Sequence, residues 1–539
     1  MLRLRAPAGA ARRAWLRYLE DGEPRVVEAS VDEDASGETW WRAEARVANA
    51  QLRYRWLLDG GDVGQRWLNA LGLHARDVPG ADDFVLDREP GAPGWHARSV
   101  VYQIFPDRFA RGGVDAPAPD WAIPRPWDAL PEGRGPATPF ELYGGDLRGV
   151  ERRLDHVERL GANVLYLTPF FPARSTHRYD ASSFERVDPL LGGDDALRSL
   201  LAAAHGRGMR VVGDLTLNHC GAGHDWFVNG ERELFFFDGS PPAGYACWLG
   251  VASLPTLNWS SAELRARMDA VFRRWLDEGL DGWRADVANM IGRYGALDVN
   301  REVAHWARER SGGRLLIAEH GHDFRPDLDG LGWHGVMNYA GFLRPVWWWL
   351  TGGAIEEDVF FRTPAPSYSG AEMLDVMRAY RAGVSWDAIV NSWTLLDSHD
   401  TARFRTVSGT RERHVAGIGL QMTMPGVPMI FAGDEIGLEG EWGEDARRTM
   451  PWDRPDAWDG ELLEAYRRLV ALRRGSEALA RGGLREVHVA GDTVAYMRET
   501  RDEALLCLAS RVPGATVASP YPAEETLFDS ETFRVLRVR

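Results

Sequence analysis

Carboxylates lie at or just beyond the ends of separate apolar segments of the chain. Asp214 lies in one segment, Arg284 and Asp286 end another, Glu319 ends a third, and Asp400 follows a fourth. Like charges that are held close together cost free energy unless a cation or a ligand compensates them. Stability alone therefore does not explain the pattern, and we interpret these carboxylates as a catalytic set.

The composition narrows the chemistry of this set. All 63 basic residues are arginine. The absence of lysine excludes Schiff-base enzymes, the lysine of phosphate-binding loops and lysine general bases. The three cysteines have no CxxC spacing, so the sequence predicts no metal site. Paired carboxyl groups are best suited to glycosyl transfer, in which one is the nucleophile and the other the acid.

The segments that carry the carboxylates belong to a series of eight apolar runs, which alternate with amphipathic helical patterns. Such alternation is typical of a parallel sheet that is covered on both faces. Eight strands predict an α/β fold, a (β/α)8 TIM barrel, whose active site lies at the C-terminal ends of the strands. The predicted strands are Val100–Phe105, Ala162–Thr168, Met209–Leu215, Leu280–Val287, Leu315–Glu319, Gly335–Asn338, Ser392–Leu396 and Val427–Ala432.

The barrel is predicted to carry additional β domains and an insertion. Residues 1–96 read as short alternating strands, which predict an N-terminal β-sandwich. The barrel is assigned to 97–475, with an inserted lobe at 220–258 after its third strand. The same strand pattern returns in 476–539 and predicts a C-terminal antiparallel β domain.

Charge and hydropathy predict the surroundings of the protein. The net charge of -16 argues against a nucleic-acid or anionic-membrane partner. The apolar runs are shorter than the ~20 residues that a membrane span needs, and the N-terminus lacks the apolar core of a signal peptide. With its odd cysteine count, the chain is expected to be cytoplasmic. The 23 tryptophans suit either a sugar ligand or a bulky core.

Several segments resemble the ordered motifs of the α-amylase family, glycoside hydrolase family 13. The resemblance extends over about residues 98–475 and is greatest to the subgroup of cyclomaltodextrinases, neopullulanases, maltogenic amylases and maltodextrin glucosidases. The segments are DLTLNH (214–219), LPTLN (254–258), GWRADVAN (282–289), IAEH (317–320) and LLDSHD (395–400).

The resemblance implies a role for each matching residue. Asp286 would be the nucleophile, Glu319 the acid and then the base, and Asp400 the stabiliser of the transition state. Substrate contacts would come from Tyr179, Asp214, His219, Arg284, His399 and Arg447. His219 and His399 could instead be core histidines, and Tyr179 ordinary loop packing, but their places beside the carboxylates favour the site.

The sequence departs from the subgroup at several of these positions. Met290 replaces a glutamate, Asn289 stands where many relatives have lysine, and His320 begins the segment His320–His322 where an apolar residue and tryptophan are usual. These positions are expected to line the leaving-group side and to alter specificity. Gly443 stands where the acidic partner of Arg447 is usual, with Glu444 next to it.

Strand geometry independently predicts that the two central carboxyl groups, Asp286 and Glu319, differ in pKa. Arg284 precedes Asp286 by two residues and therefore shares its face of a strand. This guanidinium would keep Asp286 ionised, whereas Glu319 has no arginine within five residues and could keep a raised pKa.

The expected function is retaining hydrolysis of α-1,4 bonds in maltooligosaccharides or small cyclic glucans, with α-1,6 bonds left open. A transglycosylase of the same family and a non-catalytic glucan-binding scaffold are the alternatives. No cofactor is required, although Asn218 matches a calcium ligand of the family and leaves calcium open. The N-terminal sandwich resembles a starch-binding-type module that serves in dimerisation, which suggests a homodimer.

Overall fold

A closed barrel of eight parallel strands forms the centre of the molecule. The computed structural model describes residues 1–35, 37–89, 91–357, 363–515, 519 and 521–538. Each predicted apolar run overlaps one barrel strand, so the predicted fold is confirmed. The strands are Val101–Ile104, Val164–Leu167, Arg210–Leu215, Gly282–Ala285, Leu315–His320, Gly335–Asn338, Trp393–Leu395 and Val427–Phe431.

The helices surround the barrel and pack their apolar faces against its strands. Leu197, Leu200 and Leu201 of one such helix are buried. The longer helices are Gly193–Gly206, Ala262–Glu278, Asn300–Arg310, Gly370–Arg381, Arg411–Thr423 and Gly460–Gly475, with shorter ones at Pro106–Phe109, Asp225–Val228, Arg344–Leu350, Trp386–Asn391, Phe404–Ser408 and Glu477–Arg481.

One predicted helix is interrupted in the structure. The periodicity of residues 147–160 indicates a single helix, but two helices, Leu147–Arg152 and Leu154–Leu160, form instead. Arg153 separates them with φ −109° and ψ 9°, outside the α-helical range. Apolar spacing continues across the break, which is why the sequence pattern does not reveal it.

Two antiparallel sheets form the N-terminal region. In the first, Glu38–Ala43 lies between Leu2–Pro7 and Ser30–Ala35. The second has the order Glu23–Glu28, Arg13–Glu20, Gln51–Asp59, Arg66–Asn69 and Gly72–His74, with Phe84–Asp87 also paired to Gln51–Asp59. Their core includes Leu16, Trp41 and Trp56.

A five-stranded antiparallel sheet forms the C-terminal region, as the sequence predicted. Its strands lie in the order Gly483–Val489, Thr493–Glu499, Ala504–Ser510, Phe533–Val538 and Ala523–Asp529. Short strand pairs also occur in the barrel loops, between Ile123–Pro124 and Glu141–Leu142 and between Arg293–Tyr294 and Leu297–Asp298. None of the helices in the described residues has the length and apolar character that a bilayer crossing requires.

The insertion after the third barrel strand is irregular and is fastened to neighbouring loops. Backbone bridges close the insertion on itself, between His219 and Thr256 and between Cys247 and Pro255. The amide of Gly221 donates to the Ala181 carbonyl, in the loop after the second strand, at 2.8 Å. The ring of Phe236 stacks on Tyr294, in the loop after the fourth strand, with 4.4 Å between centroids. The lobe is therefore held against the C-terminal ends of the third and fourth strands, where the predicted site lies.

Candidate active site

Arg284 is the centre of the carboxylate cluster. It lies on the fourth barrel strand and is fully buried. Its Nη1 atom is 2.8 Å from Asp286 Oδ1 and 2.9 Å from Asp214 Oδ1, and its Nη2 atom is 2.8 Å from Glu319 Oε1. One guanidinium thus gathers carboxylates from the third, fourth and fifth strands into a single site.

The structure corrects the sequence argument about how Asp286 and Glu319 differ. The expectation that Arg284 keeps Asp286 ionised while Glu319 has no arginine beside it is wrong, because the same guanidinium contacts Glu319 and the pKa of Asp286 is raised as well. Parallel strands place their C-terminal ends side by side, so residues far apart in the sequence become lateral neighbours. A window of five residues along the chain cannot detect such a contact.

Burial makes the central carboxyl pair hold a proton more tightly than exposed carboxyl groups do. Burial raises the pKa of Asp286 well above its usual value, and repulsion from Glu319 and Asp214 adds to the increase despite Arg284. Burial likewise raises the pKa of Glu319, with a further contribution from Asp400. The pair therefore retains a proton at a pH at which exposed carboxyl groups are ionised.

The backbone after the fourth strand holds Glu319 in place. Val287 follows Asp286 directly, and its amide N–H donates to Oε2 of Glu319 at 2.7 Å. Val287 has φ 38°, a conformation that β-branched residues rarely adopt. Strain of this kind persists where surrounding structure over-determines it, often at functional sites. Here it directs an N–H from the Asp286 segment to the Glu319 carboxylate.

A chain of hydrogen bonds supports the opposite side of Arg284. Gln103 Nε2 donates to Nδ1 of His399 at 2.8 Å, so Nε2 of His399 carries the hydrogen. That N–H meets the Tyr179 hydroxyl at 2.7 Å, and the hydroxyl donates to Asp214 at 2.9 Å. Tyr166 also donates to Asp214, at 2.6 Å. Asp214 therefore holds the Arg284 side chain in position, and Arg284 in turn contacts Asp286 and Glu319.

Asp400 lies beyond the end of the seventh strand, beside the guanidinium of Arg447 and the imidazole of His399. Arg447 Nη2 is 3.1 Å from its Oδ1 atom, and His399 Nε2 is 3.2 Å from its Oδ2 atom. Burial opposes its ionisation, but His399 and Arg447 outweigh this effect and lower the pKa of Asp400. Arg447 therefore keeps an acidic partner, Asp400, although Gly443 cannot supply one.

His219 and His399 are neutral donors. Burial lowers the pKa of each to about 3. Asn218 Nδ2 donates to Nδ1 of His219 at 3.3 Å, which leaves the hydrogen on Nε2, 3.7 Å from Asp286 Oδ2. Among the described residues, Nε2 of His219 has no hydrogen-bond partner. It can therefore donate to a ligand beside Asp286.

The residues predicted for the leaving-group side lie in two segments that contact each other, the loop after the fourth strand and the end of the fifth strand. Asn289 and Met290 are half-buried. Arg293 donates to the Asn289 carbonyl at 2.6 Å and also contacts Asp327 at 3.2 Å. His320 is only 1% exposed and lies 2.8 Å from Asp327. His320 is therefore buried where the two segments meet, whereas Asn289 and Met290 are partly exposed to solvent.

Residues 103–309 and 362–467 match the family description "Alpha amylase, catalytic domain". The chain belongs to the α-amylase family. Neopullulanase 2 of Thermoactinomyces vulgaris is 31% identical over 531 residues, which cover 93% of this chain and 86% of that protein. A cyclomaltodextrinase of Geobacillus thermopakistaniensis is 32% identical over 471 residues, or 82% of this chain and 74% of the relative.

Solved structures give the same family relationship. The cyclic α-maltosyl-(1→6)-maltose hydrolase of Arthrobacter globiformis superposes with a TM-score of 0.70 at 31% identity. The match covers 79% of this chain and 93% of that one. The resemblance inferred from the motifs is confirmed, and the chain is a glycoside hydrolase of this family.

The α-amylase-family site opens into a cavity beside Asp400. Its volume is about 970 Å³, which is within the range of small-molecule sites. The walls come from the loops at 133–139 and 441–444, together with Trp347. A Cβ atom on Gly443 would lie 2.8 Å from the carbonyl carbon and oxygen of Asp400. The absence of a side chain at Gly443 thus allows this loop to pack directly against Asp400.

Some residues of the α-amylase-family site were not identified from the sequence. Gln103 and Tyr166 are fully buried and polar, and each lies within an otherwise apolar strand. That contrast is a usable signal, since a polar side chain in such a strand needs a partner. His177 stacks on Tyr179, and burial lowers its pKa to about 3. Val287 gave no signal, because its role depends on backbone conformation.

Proposed function

We propose that this enzyme hydrolyses α-glucosidic bonds of maltooligosaccharides and small cyclic α-glucans with retention of configuration. The observation that carries the proposal is the bridge from Arg284 to both Asp286 and Glu319. Retaining glycosidases hold their two carboxyl groups about 5–5.5 Å apart, whereas inverting enzymes leave about 6.5–9.5 Å for a water. Because one guanidinium contacts both carboxyl groups, they lie close to each other, which favours the shorter separation and therefore retention.

In the first step Asp286 attacks the anomeric carbon while Glu319 protonates the glycosidic oxygen. The bond to the leaving sugar breaks, and Asp286 forms a glycosyl ester. Burial raises the pKa of both Asp286 and Glu319, so the pair can hold one proton; the reaction uses it from Glu319 while Asp286 attacks as the anion. Asp400, with its lowered pKa, stays ionised and stabilises the oxocarbenium-like transition state through contacts with the sugar.

In the second step Glu319 acts as the base. It accepts a proton from water as the water attacks the anomeric carbon, and Asp286 leaves as a carboxylate. Two inversions at one carbon give net retention. A second sugar in place of water would give transglycosylation, so the ratio of the products depends on occupancy of the leaving-group side.

The proposed substrate class is supported by the lobe, the cavity and the relatives. The lobe is fastened over the ends of the third and fourth strands, and the cavity volume suits a short or compact sugar. The relatives are named for neopullulanase, cyclomaltodextrinase and cyclic maltosyl-maltose hydrolase activities. The product profile from maltotriose, cyclodextrin, pullulan and starch tests this; faster hydrolysis of starch than of every small substrate would contradict it.

Glu319→Gln is the direct test of the acid. A neutral amide cannot supply the proton, so kcat on maltotriose should fall by about 10²–10⁴-fold. A maltosyl substrate with a dinitrophenolate leaving group needs no acid, so its first step should survive, and azide should accelerate the second. Asp286→Asn is the matched control, because loss of the nucleophile should abolish activity on both substrates. Wild-type turnover by Glu319→Gln would refute the assignment.

We further propose that catalysis requires no metal, because side chains fill the roles of nucleophile, acid and transition-state stabiliser. Calcium at Asn218 is the alternative, and thermal melts with and without a chelator distinguish the two. A homodimer through the N-terminal sheets is proposed from the resemblance and is tested by light scattering. A cytoplasmic location is supported by the three free cysteines, Cys220, Cys247 and Cys507.

A further inference from the structure

The inserted lobe brings a tryptophan to the edge of the catalytic cluster. Trp248 lies in a turn of the lobe, and its ring centroid is 6.0 Å from that of His219. His219 Nε2 in turn lies 3.7 Å from Asp286 Oδ2. Trp248 is therefore separated from the nucleophilic carboxylate by a single side chain, although it belongs to a different part of the fold.

Two nitrogen atoms at this place have no hydrogen-bond partner within the part of the chain that the structure describes. They are Nε1 of Trp248 and Nε2 of His219, and both are hidden from solvent. A buried donor that makes no hydrogen bond costs free energy, and native proteins retain few of them. One of these donors, His219 Nε2, lies beside a reactive carboxylate, and the indole that carries the other is its neighbour. A ligand bound at this carboxylate would supply the missing acceptors.

The backbone of the turn is fixed, so these donors have defined positions. The amide of Trp248 donates to the Leu254 carbonyl at 3.0 Å, and the Tyr245 hydroxyl donates to the Ala252 carbonyl at 2.7 Å. Leu249 adopts φ 46° and ψ 29°, the left-handed region, and is 72% exposed. A strained residue persists only where its surroundings impose the conformation, so the backbone on both sides of Trp248 has a defined conformation.

We propose that Trp248 is a substrate-binding residue whose indole N–H donates to a hydroxyl of the glucosyl unit bound at Asp286. Glucosyl units carry hydroxyl oxygens around their rings, and an amphipathic indole suits both these oxygens and the apolar ring faces. Leu249, exposed on the same turn, adds apolar contact beside it. The inference rests on the proposed hydrolysis of α-glucans, because the sugar supplies the acceptor.

Trp248→Phe is the test, because phenylalanine keeps an aromatic ring but removes the N–H. We expect kcat/KM on maltotriose to fall about tenfold. The melting temperature should stay the same or rise, because the N–H that is lost has no partner in the free protein. Monodeoxy maltotriosides locate the contact: one of them should be a poorer substrate for the wild type than maltotriose, yet equal to maltotriose for the variant.

Trp259→Phe is the matched control within the same chain. The Trp259 indole N–H donates to the Leu217 carbonyl at 2.6 Å, and its side chain is fully buried. Its loss should therefore lower the melting temperature, which distinguishes a structural indole from one that binds substrate. The deoxy-sugar pattern of this variant should match that of the wild type.

The outcomes separate this inference from the proposed function. A wild-type enzyme that hydrolyses no α-glucan would refute the proposed function. Given an active wild type, unchanged kcat/KM in Trp248→Phe would overturn the role of Trp248. So would a fall in activity together with a fall in melting temperature like that of Trp259→Phe, or an unchanged response to every deoxy sugar.

Discussion

At the scale of single residues, Gly443 decides how closely a loop can approach Asp400. A Cβ atom at Gly443 would lie 2.8 Å from the backbone of Asp400, too close for any real contact. Gly443→Ala should therefore displace Asp400 from its contacts with Arg447 and His399. We expect kcat/KM to fall by roughly 10–100-fold, since small misplacements of catalytic groups are costly.

Gly460→Ala is the control for this substitution. Gly460 begins a helix, and a Cβ atom there would meet nothing within 4 Å. It should leave the kinetics unchanged and stabilise the helix slightly. Wild-type kinetics for Gly443→Ala would show that the loop and Asp400 can separate without cost.

Sequence reasoning at this scale predicted which carboxylates cluster but not the contacts that they make. The motifs identified Asp286, Glu319 and Asp400, and the structure brings all three to one mouth. The departure at Gly443 was visible, but its packing on Asp400 was not, because the two residues lie on different loops. The burial of His320 was missed for the same reason, since its partner Asp327 lies beyond a turn.

At the scale of elements, a buried acid pair joins the ends of the seventh and eighth barrel strands. Asp397 accepts from the amide of Phe404 at 2.6 Å, and Arg403 binds Asp434 at 2.9 Å. Burial raises the pKa of Asp397 well above its usual value, and Asp434 adds to this by repulsion and a hydrogen bond. Asp397 therefore holds its proton to a higher pH than an exposed carboxyl group does, and it lies between two loops of the site.

This pair predicts how stability depends on pH. Because the folded pKa of Asp397 is raised, its contribution to stability is present below about pH 4 and is lost as the pH rises through the folded value. Asp397→Asn replaces the protonated acid with a neutral amide, so the melting temperature should decrease less between pH 5 and 9. The exposed Asp375→Asn is the control; parallel curves for wild type and Asp397→Asn would contradict the prediction.

The barrel itself was predictable because its strands are short apolar runs, buried on both faces and bounded by polar loops. Such runs need no partner to be recognised, and the observed ends differ from the predicted ones by only a few residues. The break at Arg153 was not predictable, since the apolar spacing continues through it. The irregular lobe was recognised only as an insertion, because its contacts join distant segments.

At the scale of the whole molecule, Arg473 joins three parts of the chain. Its Nη2 atom donates to the carbonyls of Ala97, before the barrel, at 2.8 Å and of Gly426, before the eighth strand, at 2.6 Å. Its Nη1 atom donates to Leu479, in the helix that leads to the C-terminal sheet. Burial lowers its pKa to about 9, so it is still charged at neutral pH.

Arg473→Lys should therefore lower the free energy of unfolding. A single ammonium cannot reproduce the planar fork of a guanidinium, so at least one buried carbonyl should lose its donor, at about 1–3 kcal/mol. Calorimetry should show a lower melting temperature. The neighbouring Arg474→Lys is the control, because Arg474 is exposed and has one carbonyl contact. Equal melting temperatures for the two variants would exclude this role of Arg473.

The position of Arg284 between two carboxyl groups has a consequence for the whole reaction cycle. In the form that reacts, the pair carries one negative charge, on Asp286, and one proton, on Glu319. After that step Asp286 is a neutral ester and Glu319 is the anion. The net charge of Asp286 and Glu319 together is thus the same before and after the step, and Arg284 neutralises it in both states. The switch of Glu319 from acid to base therefore follows from the covalent step itself and requires no movement of the protein.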